Sequence, residues 1–324
     1  MTPRRRTLHA IAWLALAAAA CGPAYEPAPE PIAPGTVFRG VGDPFATGPL
    51  AVTVTDLAEG QRGAPRATRV IAPSTRGTYP LVFFSHGFLS DRRAYTQVLS
   101  HVASHGFVVV APQMYEPDGV PLGKPTAAVE ASDAARVLAW ARHSAGAVAG
   151  VALDPRPPAL AGHSRGGKVA WLVLLAGGVE ARAIIGVDPV DGLGGPLFSA
   201  QPEALAVSID RAPPTLVLGM ALGPTGSTPC APAADGYRHF FDRSPPGARL
   251  VVVAGHGHAD MLDEPYAIAS RSLCPGGDER ANVRLAVAGW IVAHLREHLQ
   301  DDPAAARYID DASLAPLAAT VERR

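Results

Sequence analysis

Cysteine is scarce in this sequence, with 3 among 324 residues, which excludes a disulfide-scaffolded protein and a Cys-rich zinc module. An excess of charge is also missing, because 28 Lys and Arg residues stand against 29 Asp and Glu residues. We therefore expect no nucleic-acid partner. Internal apolar runs stay well short of the roughly 20 residues that a membrane helix needs, which excludes a multi-span membrane protein. Since 48% of the residues are hydrophobic, the chain can bury a substantial core.

The first 21 residues have the composition of an export signal. Residues 4–6 are arginines, residues 8–20 form an apolar run too short to span a membrane, and small residues lead into Cys21. The segment Ala18-Ala19-Ala20-Cys21-Gly22 resembles a bacterial lipobox, in which the cysteine is acylated. We expect lipidation at Cys21; the alternative is ordinary signal cleavage nearby.

Residues 22–45 are rich in proline, with five prolines between residues 23 and 34. Such a segment favours extended polyproline geometry and works as a semi-rigid linker. We expect it to join an acyl anchor to a folded domain. The protein is thus predicted to be an exported, monomeric lipoprotein of the bacterial cell envelope that contacts the membrane only through Cys21.

Strand-like and helix-like segments alternate after the linker. Several strand-like runs are continuously apolar, which is typical of parallel strands covered on both faces. The pattern predicts a single α/β domain over residues 46–300, with a mostly parallel central sheet and helices on both faces. Residues 301–324 are predicted to be a loose C-terminal tail. The predicted strands are 51–55, 69–72, 81–84, 107–111, 159–161, 183–187, 215–218 and 250–254, and the predicted helices are 92–104, 126–143, 168–176, 234–243 and 279–300.

The sequence Gly162-His163-Ser164-Arg165-Gly166 matches the pattern G-x-S-x-G at a predicted strand-to-helix junction. Glycines are needed on both sides because this turn is so tight that side chains there would collide. The turn would hold the Ser164 hydroxyl at the carboxyl end of the sheet, where it is a candidate nucleophile. A serine hydroxyl is a poor nucleophile by itself, so a histidine base and an acid must accompany it.

In this architecture the acid and then the base follow the serine along the chain. Asp188 directly follows the predicted strand 183–187, at the same edge of the sheet as the turn, and is the predicted acid. Asp191 is the reserve, with capping of a loop as its alternative role. The next predicted strand ends without an acidic residue.

Two histidines follow the last predicted strand, in Gly255-His256-Gly257-His258-Ala259-Asp260, and each is a candidate base. The His-x-His-x-Asp pattern also resembles the zinc motif of metallo-β-lactamases. That family has a further histidine directly after the aspartate, where this sequence has Met261, and its motif lies early in the chain. We therefore expect no metal and no cofactor.

Two backbone N–H groups are needed to bind the negative oxygen that develops when a nucleophile attacks a carbonyl group. One is expected from Arg165, directly after the nucleophile, and the other from Phe88, in the loop after the predicted strand 81–84. His86 in that loop precedes Ser164, which is the wrong order for a base in this architecture. His163, inside the turn, is predicted to be a buried hydrogen-bonding residue.

Three motifs together resemble the chlorophyllases, a family of the α/β-hydrolase superfamily: Gly-His-Ser-Arg-Gly-Gly-Lys at 162–168, Ile-Gly-Val-Asp-Pro-Val-Asp-Gly at 185–192 and Gly-His-Ala-Asp-Met-Leu-Asp at 257–263. The resemblance implies an α/β-hydrolase fold, with Ser164 as nucleophile, Asp188 as acid and His258 as base. It also implies hydrolysis of a carboxylic ester. In this family the ester is the phytyl ester of chlorophyll, which yields chlorophyllide and phytol.

Cys230 and Cys274 are the thiols that remain besides Cys21. Export permits disulfides, so these two can pair; the alternative is two separate buried thiols. For the function, three alternatives to a chlorophyllase-like hydrolase stay open. They are a general esterase, lipase or polyester hydrolase of the same fold, an acyltransferase using the same three residues, and a non-catalytic surface lipoprotein.

Overall fold

A β-sheet forms the centre of the protein, of which the computed structural model describes residues 26–115, 125–192, 212–227 and 229–324. The strands are β1 Val52–Leu57, β2 Thr68–Pro73, β3 Thr78–Tyr79, β4 Leu81–Ser85, β5 Val108–Pro112, β6 Ala152–Leu153, β7 Ala159–His163, β8 Ala183–Val187, β9 Thr215–Met220, β10 Arg249–Val253 and β11 Ala319–Arg323. Within the described ranges, nine of them form one sheet in the order β1-β2-β5-β4-β7-β8-β9-β10-β11. The neighbours from β5 to β10 run parallel, whereas the pairings β1–β2, β2–β5 and β10–β11 are antiparallel.

Helices cover both faces of this sheet. The central strands β5 and β8 are buried at every residue, as their continuous apolar sequences require. The α-helices are α1 Thr96–Ser104, α2 Ala127–Ala149, α3 Arg165–Leu175, α4 Tyr237–Arg243, α5 Tyr266–Ser270, α6 Arg280–Leu299 and α7 Arg307–Asp310, and short 3₁₀ turns lie at Gln61–Gly63, Arg92–Tyr95, Pro303–Ala306 and Ala312–Leu314. On one face of the sheet, α1 and α6 cover a hydrophobic core that contains Trp290. On the opposite face, α2 and α3 cover a second core, which contains Trp171. The predicted α/β-hydrolase architecture is confirmed.

The strand register brings the ends of β4, β7 and β8 together. Ser85 pairs with Gly162, and His163 pairs with Val187. Ser164 and Asp188 each follow the last residue of such a pair, so they leave the same edge of the sheet side by side. The residues that directly follow parallel strands in the sequence thus lie together, at the carboxyl ends of those strands.

The C-terminal residues 301–324 belong to the domain, so the prediction of a loose tail is wrong. All five residues of β11 pair with β10, and Ile309 in α7 is buried in the core. Ala319 and Val321 pack against the core, while the other residues of β11 are exposed. An edge strand with one exposed face lacks the continuous apolar run that marks the central strands, so the sequence pattern does not reveal it.

The second half of the predicted linker 22–45 packs on the domain, so the domain begins before residue 46. The N–H of Gly35 donates to Thr78 Oγ1 at 2.7 Å. Phe45 is buried and meets Trp290 edge-on, with ring centroids 5.8 Å apart. The composition of residues 22–45 gives no indication that Phe45 is buried, because one aromatic residue changes the average composition of a proline-rich segment very little.

The segment predicted as an export signal, residues 1–21 with Cys21 at its end, lies outside the described residues. Lipidation therefore stays a prediction. Among the helices of the described ranges, none is long and apolar enough to cross a membrane.

Candidate active site

Ser164 occupies a sharp turn between β7 and α3, directly after the strand ends. Its backbone has φ of 55° and ψ of −126°, a conformation that residues other than glycine rarely adopt. The turn requires glycine on both sides. A Cβ on Gly162 would lie 2.2 Å from the carbonyl carbon of Gly166, and a Cβ on Gly166 would lie 2.0 Å from the backbone oxygen of Ser85. The G-x-S-x-G pattern therefore forms the tight turn that the sequence predicts.

The hydroxyl of Ser164 lies beside the ring of His258, whose other nitrogen contacts Asp188. Ser164 Oγ is 2.9 Å from His258 Nε2, and His258 Nδ1 is 2.6 Å from Asp188 Oδ2. The three side chains come from the turn after β7, the loop after β8 and the loop after β10, and all three are buried. The structure thus joins the predicted nucleophile, base and acid in one hydrogen-bonded row.

The end of the neighbouring strand β9 holds Asp188 in place. Its Oδ1 accepts the N–H of Met220 at 3.0 Å, and its own N–H donates to the backbone oxygen of Leu218 at 2.6 Å. A Cβ on Gly223 would lie 2.8 Å from Asp188 Oδ2, so the glycine leaves room for the carboxylate. Because Oδ1 is bound to backbone, Oδ2 is the oxygen that faces His258.

The reserve acid Asp191 has a different partner. Its carboxylate is buried and lies 3.3 Å from Lys168 Nζ of α3, and the same amine donates to the backbone oxygen of Asp191. Its own N–H donates to the backbone oxygen of Asp235 at 2.8 Å. These contacts tie the loop after β8 to α3, while Asp188 is the carboxylate that reaches His258.

The second candidate base, His256, contacts Asp260. Its Nδ1 lies 3.6 Å from Asp260 Oδ2, which accepts the N–H of Gly257 at 2.8 Å and that of Gly277 at 2.7 Å. Asp260 thus shapes the loop that carries His258. The His-x-His-x-Asp pattern builds this loop and does not converge its three side chains on one point.

A different set of side chains, on α6, has the spacing of metal ligands. Within the described ranges, His294, Glu297 and His298 place ligand atoms within 4.8 Å of one another. Arg249 binds the Glu297 carboxylate at 2.5 and 3.2 Å, and His294 Nε2 lies 3.2 Å from the backbone oxygen of Pro214. These partners lie at the amino ends of β9 and β10, the edge of the sheet opposite the candidate active site. The group is therefore no part of that site.

The predicted oxyanion donors Phe88 and Arg165 lie near Ser164. A Cβ on Gly87, the residue before Phe88, would lie 3.2 Å from Ser164 Cβ. Arg165 is the first residue of α3, and first-turn amides have no carbonyl partner within a helix. The Arg165 guanidinium lies over the Phe88 ring, 5.3 Å from its centroid. The two residues are thus neighbours beside the serine.

His86 supports the loop that carries Phe88. Its Nε2 accepts the N–H of Met114 at 3.0 Å, so its Nδ1 carries the hydrogen and donates to the backbone oxygen of Gly87 at 2.8 Å. Burial lowers the pKa of His86 to about 4, which keeps the ring neutral. Both ring nitrogens are engaged by backbone, and His86 has a structural position, as the chain order predicts.

Comparison with known proteins decides the family. A family model described as Chlorophyllase matches residues 41–323, which is most of the chain and extends through β11. This chain belongs to the chlorophyllase family. Similar curated relatives are Chlorophyllase-2 of Arabidopsis thaliana, 32% identical over 77% of this chain and 82% of the relative, Chlorophyllase-1 of Arabidopsis thaliana, 32% identical over 84% and 89%, and Chlorophyllase-1, chloroplastic, of Citrus unshiu, 34% identical over 78% and 79%. As a member of this family, the protein is a carboxylic ester hydrolase of the serine-hydrolase type.

In this chlorophyllase-family protein, a disulfide between Cys230 and Cys274 joins two loops at the carboxyl edge of the sheet. Cys230 lies in the loop after β9, and Cys274 follows α5. Pro275, next to the second cysteine, packs against the loop of His258: a Cβ on Gly257 would lie 1.7 Å from the Pro275 oxygen. A cross-link over a separation of 44 residues stabilises the fold by about 4 kcal/mol on the chain-entropy estimate.

An ion pair beside Phe88 is a feature of this chlorophyllase-family site that the sequence does not signal. Arg165 Nη2 lies 2.5 Å from Glu130 Oε1 and also donates to the backbone oxygen of Pro125. Burial raises the pKa of Glu130 to about 7, while the Arg165 guanidinium opposes that rise. The pair fixes the start of α2 against α3. The two residues are far apart along the chain, and their spacing gives no indication of a contact.

Proposed function

We propose that Ser164 attacks the carbonyl carbon of a carboxylic ester, with His258 as general base and Asp188 as the acid that orients it. The row of hydrogen bonds from Ser164 Oγ through the His258 ring to Asp188 supports this assignment. A carboxylate only accepts hydrogen bonds, so His258 Nδ1 carries the hydrogen toward Asp188. His258 Nε2 then keeps a lone pair facing Ser164, which is the tautomer that a base needs.

The reaction would proceed through an acyl-enzyme. The proton of Ser164 passes to His258 Nε2 as Oγ bonds to the carbonyl carbon, and the N–H groups of Phe88 and Arg165 stabilise the negative carbonyl oxygen. The imidazolium, stabilised by the buried Asp188 carboxylate, then donates its proton to the leaving alkoxide, which departs as the alcohol. Water repeats these steps on the acyl-enzyme and releases the carboxylic acid.

The substrate that we propose is an ester with a large apolar alcohol, such as the phytyl ester of chlorophyll. Relatives named Chlorophyllase, 32% to 34% identical over most of this chain, support it. Leu89, which follows Phe88 in the sequence, has 44% of its surface exposed. This apolar side chain, on the loop that carries a proposed oxyanion donor, is available to contact a hydrocarbon chain.

A hydrolysis panel tests the substrate. We expect the purified protein to convert chlorophyll a to chlorophyllide and phytol with a kcat/KM at least about tenfold above that for p-nitrophenyl butyrate, because a pocket for a long alkyl group gains binding energy from each buried methylene. The products are separated by solvent partition and quantified by absorbance. Ser164→Ala is the control for spontaneous hydrolysis.

Each alternative function has its own outcome in this panel. A higher kcat/KM for the short ester, or release of monomers from a polyester film, would contradict the proposed substrate class. Transfer of the acyl group to an added alcohol, in excess of hydrolysis, would indicate an acyltransferase. Failure of a fluorophosphonate to label Ser164 in the folded protein would leave a non-catalytic lipoprotein.

We also propose that the protein is exported and anchored through an acylated Cys21. The composition of residues 1–21 supports this location, as does the disulfide between Cys230 and Cys274, because structural disulfides persist in oxidising compartments. Cells grown with labelled palmitate should incorporate the label into the wild-type protein but not into Cys21→Ser. Equal labelling of both proteins, or of neither, would contradict the anchor.

A further inference from the structure

A chain of buried hydrogen bonds connects the Phe88 loop to the backbone of His258. The N–H of Gly87 donates to Tyr95 Oη at 2.9 Å. Tyr95 Oη lies 3.0 Å from His163 Nδ1, and His163 Nε2 lies 2.9 Å from the backbone oxygen of His258. This series of hydrogen bonds begins at Gly87, one residue before the proposed oxyanion donor Phe88. It ends at the backbone of His258, the proposed base. One of its members, His163, directly precedes the proposed nucleophile Ser164 in the sequence.

The direction of every hydrogen bond in this chain is fixed by its two ends. The Gly87 amide can only donate, and the His258 carbonyl can only accept. His163 must therefore carry its hydrogen on Nε2, so its Nδ1 accepts from the Tyr95 hydroxyl. Burial holds the pKa of His163 well below its ordinary value, so the ring stays neutral and this arrangement persists over the working pH range.

Gly87 also lies close to the nucleophile. A Cβ on Gly87 would lie 3.1 Å from His163 Nδ1, 3.2 Å from Ser164 Cβ and 3.3 Å from Tyr95 Oη, so this position has little room for a side chain. The rings of His163 and His258 are 4.6 Å apart, centroid to centroid. The loop of Gly87, the serine and the base are therefore packed closely together.

The peptide between Gly87 and Phe88 is held from its other side by His86. His86 Nδ1 donates to the Gly87 oxygen at 2.8 Å. In a planar trans peptide the carbonyl and the following N–H point in opposite directions, so this bond also sets the direction of the Phe88 N–H. Tyr95 fixes the peptide that precedes Gly87. The hydrogen bonds from His86 and to Tyr95 together fix the orientation of the two peptides on either side of Gly87.

We propose that Tyr95 and His163 are positioning residues for ester hydrolysis, which hold the Gly87–Phe88 turn and the backbone of His258 in register with Ser164. The proposal rests on the proposed function, in which the Phe88 amide binds the oxyanion and His258 is the base. Preorganised donors act on the charge that develops in the transition state. Loss of the hydrogen bonds through Tyr95 and His163 should therefore lower kcat and leave KM nearly unchanged.

Tyr95→Phe tests the proposal, because it removes the hydroxyl that links Gly87 to His163 and keeps the ring. We expect kcat to fall by about 10- to 100-fold, since small displacements of catalytic groups cost that much, with little change in KM. Tyr79→Phe is the matched control: Tyr79 is also buried, and its hydroxyl donates to the backbone oxygen of Thr75 at 3.0 Å, at the opposite edge of the sheet. That variant should lose comparable stability and keep the wild-type kcat.

A second pair of variants separates hydrogen bonding from packing at His163. Asn and Leu have nearly the same shape, but the amide oxygen of His163→Asn lies near the former Nδ1 and can accept from Tyr95. We expect His163→Asn to keep at least about tenfold more kcat than His163→Leu, because the bond at Tyr95 keeps Gly87 in place. This pair decides the proposal if Tyr95→Phe does not fold.

The outcomes test the positioning role of Tyr95 and His163 separately from the proposed catalytic role of Ser164. If Tyr95→Phe has the same kcat as Tyr79→Phe, or if the two His163 variants are equally active, the positioning role is wrong and the mechanism through Ser164 stands. If Ser164→Ala keeps the wild-type rate, the proposed function fails instead. A drop in kcat for Tyr95→Phe alone, with KM unchanged, supports both.

Discussion

Removal of the Ser164 hydroxyl, as Ser164→Ala, is expected to lower kcat for ester hydrolysis by about 10⁶-fold. The proposed mechanism needs Oγ to form the acyl-enzyme, and without it His258 Nε2 loses the partner that it contacts at 2.9 Å. The Phe88 and Arg165 amides could then assist only a direct attack by water, which leaves a small residual rate. Initial rates with chlorophyll a and p-nitrophenyl butyrate measure kcat and KM, and we expect KM to change little.

The control for this variant is a buried serine outside the site. Ser244 is buried at the end of α4, and its hydroxyl donates to the backbone oxygen of Phe240 at 2.8 Å. Ser244→Ala should keep the wild-type kcat and the labelling of Ser164 by a fluorophosphonate. A wild-type rate in Ser164→Ala, with unchanged thermal unfolding, would mean that another group is the nucleophile.

The sequence predicts those parts of the site that depend on local pattern. Ser164 and Asp188 directly follow the parallel strands β7 and β8, and parallel pairing places the residues after such strands at one edge of the sheet. The choice between His256 and His258 depends on how the loop after β10 folds. Asp260 fixes the conformation of this loop by accepting hydrogen bonds from Gly257 and Gly277. A pattern of apolar residues does not predict those hydrogen bonds.

The features that the sequence does not predict are contacts between distant segments. β11 has an alternating pattern with one exposed face, and Phe45 is a lone anchor after a proline-rich stretch. The pairing of Arg165 with Glu130, like the chain from Gly87 through Tyr95 and His163, joins residues whose separation along the sequence carries no periodic signal. Such contacts follow from the packing of elements that a linear pattern treats independently.

The second large effect is expected for Asp188→Asn, which should lower kcat by about 10⁴-fold, the loss typical of a Ser-His-Asp site with the wrong histidine tautomer. The Met220 N–H, 3.0 Å from Asp188 Oδ1, can only donate, so the amide oxygen of the variant stays on that side. The amide NH₂ group then faces His258 Nδ1, which must accept. The hydrogen moves to Nε2, and His258 can no longer accept the proton of Ser164.

Asp191→Asn is the matched control for Asp188→Asn, since both carboxylates are buried in the same loop. Asp191 faces Lys168, so its replacement should lower the free energy of unfolding by about 3 kcal/mol, because the variant removes one charge of a buried ion pair. Its kcat should stay near the wild-type value at a temperature where both variants are folded. Urea unfolding and initial rates on the same preparations separate the two effects. A larger loss of kcat in Asp191→Asn than in Asp188→Asn would assign the acid to Asp191 and contradict the row of hydrogen bonds on which the mechanism rests.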